Sequence, residues 1–144
     1  MTSLKDFKVK RQIIMKHYLK PLNKGKITGI KPLHFFSKYC VDKLSLYIKI
    51  NNDKITNISF EGQGCAIFLA STDLMIEIVK YKTITEVKNI LQNYYNIIHQ
   101  KGYYDEKILG ELVIFNNVKE QINRLYCAEI IYLSLIEKLE KNNI

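Results

Sequence analysis

The chain is expected to fold as an α+β domain, a small antiparallel β-sheet of about three strands packed against several α-helices. Two patterns carry that expectation. Between residues 43 and 61 apolar and polar side chains alternate, the period of half-buried strands, whereas between 67 and 98 and again between 128 and 139 apolar side chains recur every three or four positions, the period of helices. With 144 residues, 47% hydrophobic and 25% charged, the composition suits one domain over 1–144 with a real core and speaks against a disordered chain. No internal repeat and no linker-like stretch divides it.

At the N-terminus, residues 4–20 read as a helix with Phe7, Ile14 and Tyr18 on one side and lysines on the others, stopped by Pro21. Residues 1–22 are thus a basic N-terminal helix. Gly25, Gly29 and Pro32 then mark a loop with a short edge strand at Lys26–Ile30. Lys43–Ile50 places Leu44, Leu46, Ile48 and Ile50 on one face, and Lys54–Glu61 alternates Thr56, Ile58 and Phe60. Joined by Asn51-Asn52-Asp53, the two runs make a β-hairpin. After Gly62 and Gly64 the period changes, and Ile67, Ala70, Ser71, Leu74 and Ile78 define an amphipathic helix. Thr83 and Glu86 form a capping box before a helix over 85–100 with Val87, Ile90, Leu91, Tyr94 and Ile98 inward and Gly102 at its end. A short helix is expected near Asp105–Leu109. Ala128, Ile131, Tyr132, Leu135 and Leu139 define a closing helix with a frayed tail at 141–144.

The net charge of +8 is unevenly placed: residues 1–31 hold nine basic groups against Asp6 alone, and the remainder balances. Such an arm suits an acidic protein face, nucleic acid or a lipid surface, or it is a solvated lysine-rich face. Three cysteines cannot all pair within one chain, and no apolar leader follows the charged start, so free or metal-bound thiols in the cytoplasm are expected. The longest apolar run, Cys65–Ala70, is far below the ~20 residues of a membrane span, so no membrane partner is expected.

The cysteines carry the candidate chemistry. A hairpin turn centred on Asn52 sets Cys40 opposite Gly64 and beside Cys65, so that two thiols meet at one end of the sheet. Cys65 opens a helix, where unpaired amides and the helix dipole favour a thiolate. Asp42 reaches the same place if the chain turns after Cys40. Arg124, three residues before Cys127, shares its helical face and is placed to steady a thiolate. Free cysteine also packs as a small hydrophobe, so residue types alone leave a three-thiol metal or sulfur site beside a plain core role. Among the histidines, His17 packs or caps the end of the first helix, His34 is a solvated loop residue rather than a ligand, and His99 complements a helix C-terminus.

The segments RQIIMKHYLKPLNKG (11–25), YCVDKLSL (39–46), FEGQGCAIFLASTDLM (60–75) and RLYCAEI (124–130) resemble the NifU/IscU/SufU family of iron–sulfur cluster assembly proteins across residues 9–139. The 62-residue interval from Cys65 to Cys127, and Tyr126 where IscU proteins carry histidine, resemble the SufU branch. Val41 stands where the family has glycine, and Ser37-Lys38 where it usually has Asn-Pro. The resemblance implies a SufU/IscU-like fold and a zinc site of Cys40, Asp42, Cys65 and Cys127. It further implies a zinc-dependent sulfurtransferase in which Cys40 accepts persulfide sulfur from a SufS-type cysteine desulfurase. A histidine of that partner then replaces Cys40 on the zinc, and Arg124 acts beside the acceptor. Downstream iron–sulfur assembly proteins are further partners. The alternative is a scaffold that binds iron and builds and transfers a 2Fe–2S cluster, because the same thiolates suit iron. A third reading, a basic nucleic-acid-binding domain with structural zinc, rests on the charged arm alone.

Overall fold

The computed structural model describes residues 3–39 and 41–142. In chain order it contains α1 (Phe7–Leu19), β1 (Leu33–Phe36), β2 (Lys43–Asn51), β3 (Lys54–Gln63), α2 (Ala66–Val79), α3 (Ile84–His99), α4 (Glu106–Leu109) and α5 (Ile122–Asn142). Two 3-10 turns, Gly110–Phe115 and Val118–Glu120, link α4 to α5. The α+β architecture is as expected, with one antiparallel sheet in the order β1-β2-β3. Among the described residues no helix is long and apolar enough to cross a membrane.

The third strand is Leu33–Phe36 rather than Lys26–Ile30. Gly25 and Gly29 take φ of +147° and +82°, which breaks the extended run between them, and pairing begins only after Pro32, which lacks an N–H for a ladder. The outer edge of β3 is covered by the chain leaving α1, with Gly25 N–H donating to Phe60 O at 2.8 Å and Phe60 N–H donating to Asn23 O at 3.0 Å. That contact closes an edge that would otherwise be open to another chain.

The hairpin turns on Asn52 and Asp53, both at positive φ (51° and 60°), as a type I′ turn requires. Asn51 pairs with Lys54 and Ile50 with Ile55, but Lys49 pairs with Asn57, so Thr56 is the extra residue of a β-bulge. Thr56 is therefore exposed instead of following Ile58 and Phe60 inward, and Ile55 takes the core position.

Helix α2 is central rather than amphipathic. Phe68, Ala70, Ser71, Thr72, Asp73, Leu74, Met75, Ile76 and Val79 are all buried because α1, α5 and β3 surround it, whereas Ile67 and Ile78 are only partly covered. Its buried hydroxyls stay satisfied by its own turn: Ser71 and Thr72 donate to Phe68 O at 3.1 and 2.8 Å.

Helix α1 starts at Phe7, where the Asp6 carboxylate accepts the N–H groups of Lys8 and Val9. Its inner face differs from expectation: Phe7 and Tyr18 are exposed, and Lys10 and His17 are buried. The cause is Asp73, fully buried on α2, whose carboxylate meets His17 Nδ1 at 2.7 Å and accepts the N–H groups of Leu22 at 3.0 Å and Asn23 at 2.8 Å. A buried carboxylate needs such partners, so this polar anchor decides how α1 is rotated. Lys10 reaches Asn116 at the end of the first 3-10 turn.

Both halves of the Thr83–Glu86 capping box form at α3, and its inner stripe is buried as expected. The left-handed residue ending α3 is Gln100, with Gly102 two residues further on also at positive φ. Helix α5 continues to Asn142, so positions 141 and 142 are helical where a frayed tail is expected, and residues 143 and 144 lie outside the described residues.

Replacing Asp73 with alanine leaves buried His17 and the amides of Leu22 and Asn23 without their acceptor, and is expected to cost about 3 kcal/mol of stability in denaturant unfolding. Asp73→Asn retains one acceptor oxygen and is expected to lose less.

Candidate metal centre

Three elements deliver three potential ligands to one place. Asp42 immediately precedes β2, Cys65 lies between β3 and α2, and Cys127 sits in the second turn of α5. One carboxylate oxygen and the two sulfurs all lie within 4.8 Å of one another. Among the described residues this is the only group of three or more His, Cys, Asp or Glu side chains so gathered.

Backbone register brings the first two together. Lys43 pairs with Gln63, so the residues just beyond, Asp42 and Gly64, face each other at the end of the ladder. The expected register set Cys40 there. The observed one differs because the turn centres between Asn52 and Asp53 and the bulge at Thr56 adds a residue. A Cβ on Gly64 would collide with the Asp42 carboxylate and lie 2.7 Å from the Phe68 ring. Close approach, not positive φ, is therefore what glycine provides at this position.

Asp42 is buried, and its Oδ1 accepts the Cys65 N–H at 3.0 Å while Oδ2 lies 4.0 Å from Cys65 Sγ. Cys65 is the N-cap of α2, with its sulfur accepting the Phe68 N–H at 3.4 Å. This is the helix-start position expected for it. Cys65 is exposed and Cys127 buried, so the cluster opens to solvent on the side of α2. Cys127 is held from behind by the core: fully buried Tyr94 of α3 donates its hydroxyl to Ala128 O at 2.7 Å.

Burial pushes the Cys127 thiol well above the ordinary thiol range, and the adjacent Asp42 and Cys65 push it the same way. A bound cation reverses that balance, since a coordinating thiol gives up its proton. The donor set fits Zn²⁺. Tetrahedral coordination, with bonds of about 2.3 Å to sulfur and 2.0 Å to oxygen, sets neighbouring ligand atoms roughly 3.5–3.8 Å apart, a small contraction of the observed cluster. Two sulfurs and one carboxylate supply three of four positions.

Other site candidates are placed as follows. Cys40 lies outside the described residues. Val41 is 87% exposed, so its β-branched side chain points to water and leaves Asp42 free to turn inward. Arg124 is exposed and lines a groove against α1. His34 pairs through Nδ1 with Ser45 Oγ at 2.9 Å on the β1–β2 ladder, and His17 is committed to Asp73. His99, in the last turn of α3, faces Glu129 at 3.2 Å.

An aromatic contact went unseen in the sequence. Tyr39 stacks on Tyr126 with ring centroids 4.0 Å apart and planes at 18°. Each tyrosine immediately precedes a cysteine in sequence, and the stack ties the segment after β1 to the turn of α5 carrying Cys127. The paired Y-C dipeptides at 39–40 and 126–127 were the available signal.

Gly64→Ala is expected to displace the Asp42 carboxylate and lower the zinc retained against a colorimetric chelator by at least tenfold. Helical circular dichroism should stay unchanged.

The NifU-like N-terminal domain profile matches residues 9–128. The zinc-dependent sulfurtransferase SufU of Bacillus subtilis is 29% identical over 131 residues, covering 91% of this chain and 89% of that protein. The iron–sulfur cluster assembly scaffold protein IscU of Streptococcus pyogenes is 25% identical, covering 90% and 82%. Among solved structures, a putative iron–sulfur cluster assembly scaffold protein for the SUF system from Fervidobacterium islandicum superposes with a TM-score of 0.81 at 34% identity, covering 86% of this chain and 91% of that one. With its fold, its gathered Asp-Cys-Cys cluster and these relatives, the chain belongs to the NifU-like N-terminal domain family, on the SufU side of a family that includes the SufU and IscU iron–sulfur cluster assembly proteins.

Proposed function

We propose that this protein is a zinc-dependent sulfur acceptor for iron–sulfur cluster assembly, taking persulfide sulfur from a SufS-type cysteine desulfurase in the cytoplasm. The observation that carries the reading is the convergence of Asp42, Cys65 and Cys127 within 4.8 Å. Similarity to a relative named as a zinc-dependent sulfurtransferase supports it. Cys40 is the proposed fourth ligand and the acceptor, on a loop that also carries Asp42.

When bound, zinc would keep the cysteines deprotonated at neutral pH and restrain their reactivity. Transfer itself is thiol chemistry. The Cys40 thiolate attacks the outer sulfur of the desulfurase persulfide. A new S–S bond forms at Cys40, the partner's S–S bond breaks, and the partner cysteine leaves as thiolate. Asp42, Cys65 and Cys127 hold the site while Cys40 reacts. Arg124, one turn before Cys127 on α5, supplies positive charge on the approach to it.

The purified protein is expected to hold about one zinc per chain and to raise desulfurase turnover several-fold. Cys40→Ala should abolish the stimulation, and normal stimulation by that variant would remove the acceptor role. Assembly of a 2Fe–2S cluster is the second reading, favoured by the IscU relative. Visible absorbance after anaerobic reconstitution, with rapid transfer of the cluster to an apo-protein, would promote it over the first.

A further inference from the structure

Between α1, the start of α2, the 3-10 turns and α5 runs a groove of about 280 Å³. Ile14 and Ile67 contribute apolar surface above the buried Phe115 and Val118, and Lys10, Arg11 and Arg124 contribute charge. Among the described residues no acidic side chain lines it. Phe7 and Met15 on its α1 wall are 74% and 37% exposed, so apolar surface is left in water beside cations. Ile67 lies two residues after Cys65 and Arg124 three before Cys127, so the groove shares both α2 and α5 with the metal cluster.

We infer that this groove is the docking site for an acidic, amphipathic segment of the sulfur-donating desulfurase, its apolar side chains seated against Phe7, Ile14 and Met15 and its carboxylates meeting Arg11 and Arg124. The inference rests on the function proposed above and adds the surface that recognises the partner. Charge complementarity selects an acidic occupant: the surplus of +8 lies in residues 1–31, whose helix α1 forms one wall. Position selects a protein that delivers to the cluster, because an occupant of the groove is held against the start of α2, which Cys65 caps, and against α5, which carries Cys127. A bilayer would meet the outer face of α1 and has no reason to fill a concavity beside the thiols. Part of the basic arm is already engaged within the fold, Lys5 with Glu106 at 2.7 Å and Lys10 with Asn116, which leaves Arg11 facing outward at the groove.

The test uses the full chain loaded with zinc and a SufS-type desulfurase, with the rate followed as a function of this protein's concentration. Arg11→Glu, and separately the Phe7→Ala/Met15→Ala pair, should each raise the half-saturating concentration at least tenfold. The maximal rate should remain within twofold and zinc per chain unchanged. Lys101→Glu, in the turn after α3, should behave as wild type. Half-saturation within twofold of wild type for both groove variants, with wild type active, overturns the docking site and leaves the sulfur-acceptor function standing. So does Arg11→Glu releasing the protein from phosphatidylglycerol vesicles without altering desulfurase saturation. A wild-type protein that binds zinc but neither binds nor stimulates the desulfurase overturns the proposed function and the docking site together.

Discussion

The register of the β2–β3 hairpin is the constraint on which the site depends. A turn with two left-handed residues and a single-residue bulge set Lys43 against Gln63, and the next positions outward, Asp42 and Gly64, then face each other. A one-residue slip would turn every side chain of a strand to the other face, sending Leu44, Leu46 and Ile48 out of the core. Core burial on one face of the sheet therefore locks the position of a carboxylate at its end. Asp42 in turn holds the Cys65 amide, so the polar end of the sheet and the first turn of α2 are fastened by the same group.

Cys127 reaches the cluster by a different route. It has no connection to the hairpin through the backbone ladder and arrives because α5 packs on the central α2 and on α3. The Tyr94 hydroxyl bound to Ala128 O fixes the helix one residue from the thiol, where both residues are fully buried. The result is one buried and one exposed cysteine around a buried carboxylate, an arrangement in which the inner donors are set by the core and the outer one stands where a partner can approach. Burial and the crowded neighbours Asp42 and Cys65 raise the proton affinity of Cys127 until a cation is present, which couples metal uptake to proton release.

The basic N-terminal helix divides its charge between folding and recognition. Asp73 pulls His17 and the chain after α1 inward, and Lys10 follows on the same face to Asn116. The price of that rotation is apolar surface left outside, Phe7 foremost, alongside Arg11. A helix that placed Phe7 and Tyr18 inward would have buried more hydrocarbon but taken His17 away from the Asp73 carboxylate, leaving that buried group with only the donors of Leu22 and Asn23.

Local sequence was enough for whatever depends on neighbours along the chain. The hairpin follows from alternation and turn residues, α3 from its capping box and stripe, the N-terminal place of Cys65 from the glycines and the change of period before it, and family membership from the segments around the cysteines. Where partners distant in sequence decide, local pattern misled: α1 was read by its apolar residues when a carboxylate 56 positions after His17 sets its face. The third strand, the bulge at Thr56, the Tyr39–Tyr126 stack and the meeting of Cys127 with Asp42 and Cys65 all belong to that second kind. Residue types could nominate the ligands, but a polymer chain carries no distance between positions 65 and 127 until helices and sheet bury a common core, and only that packing puts the sulfurs and the carboxylate within reach of one ion.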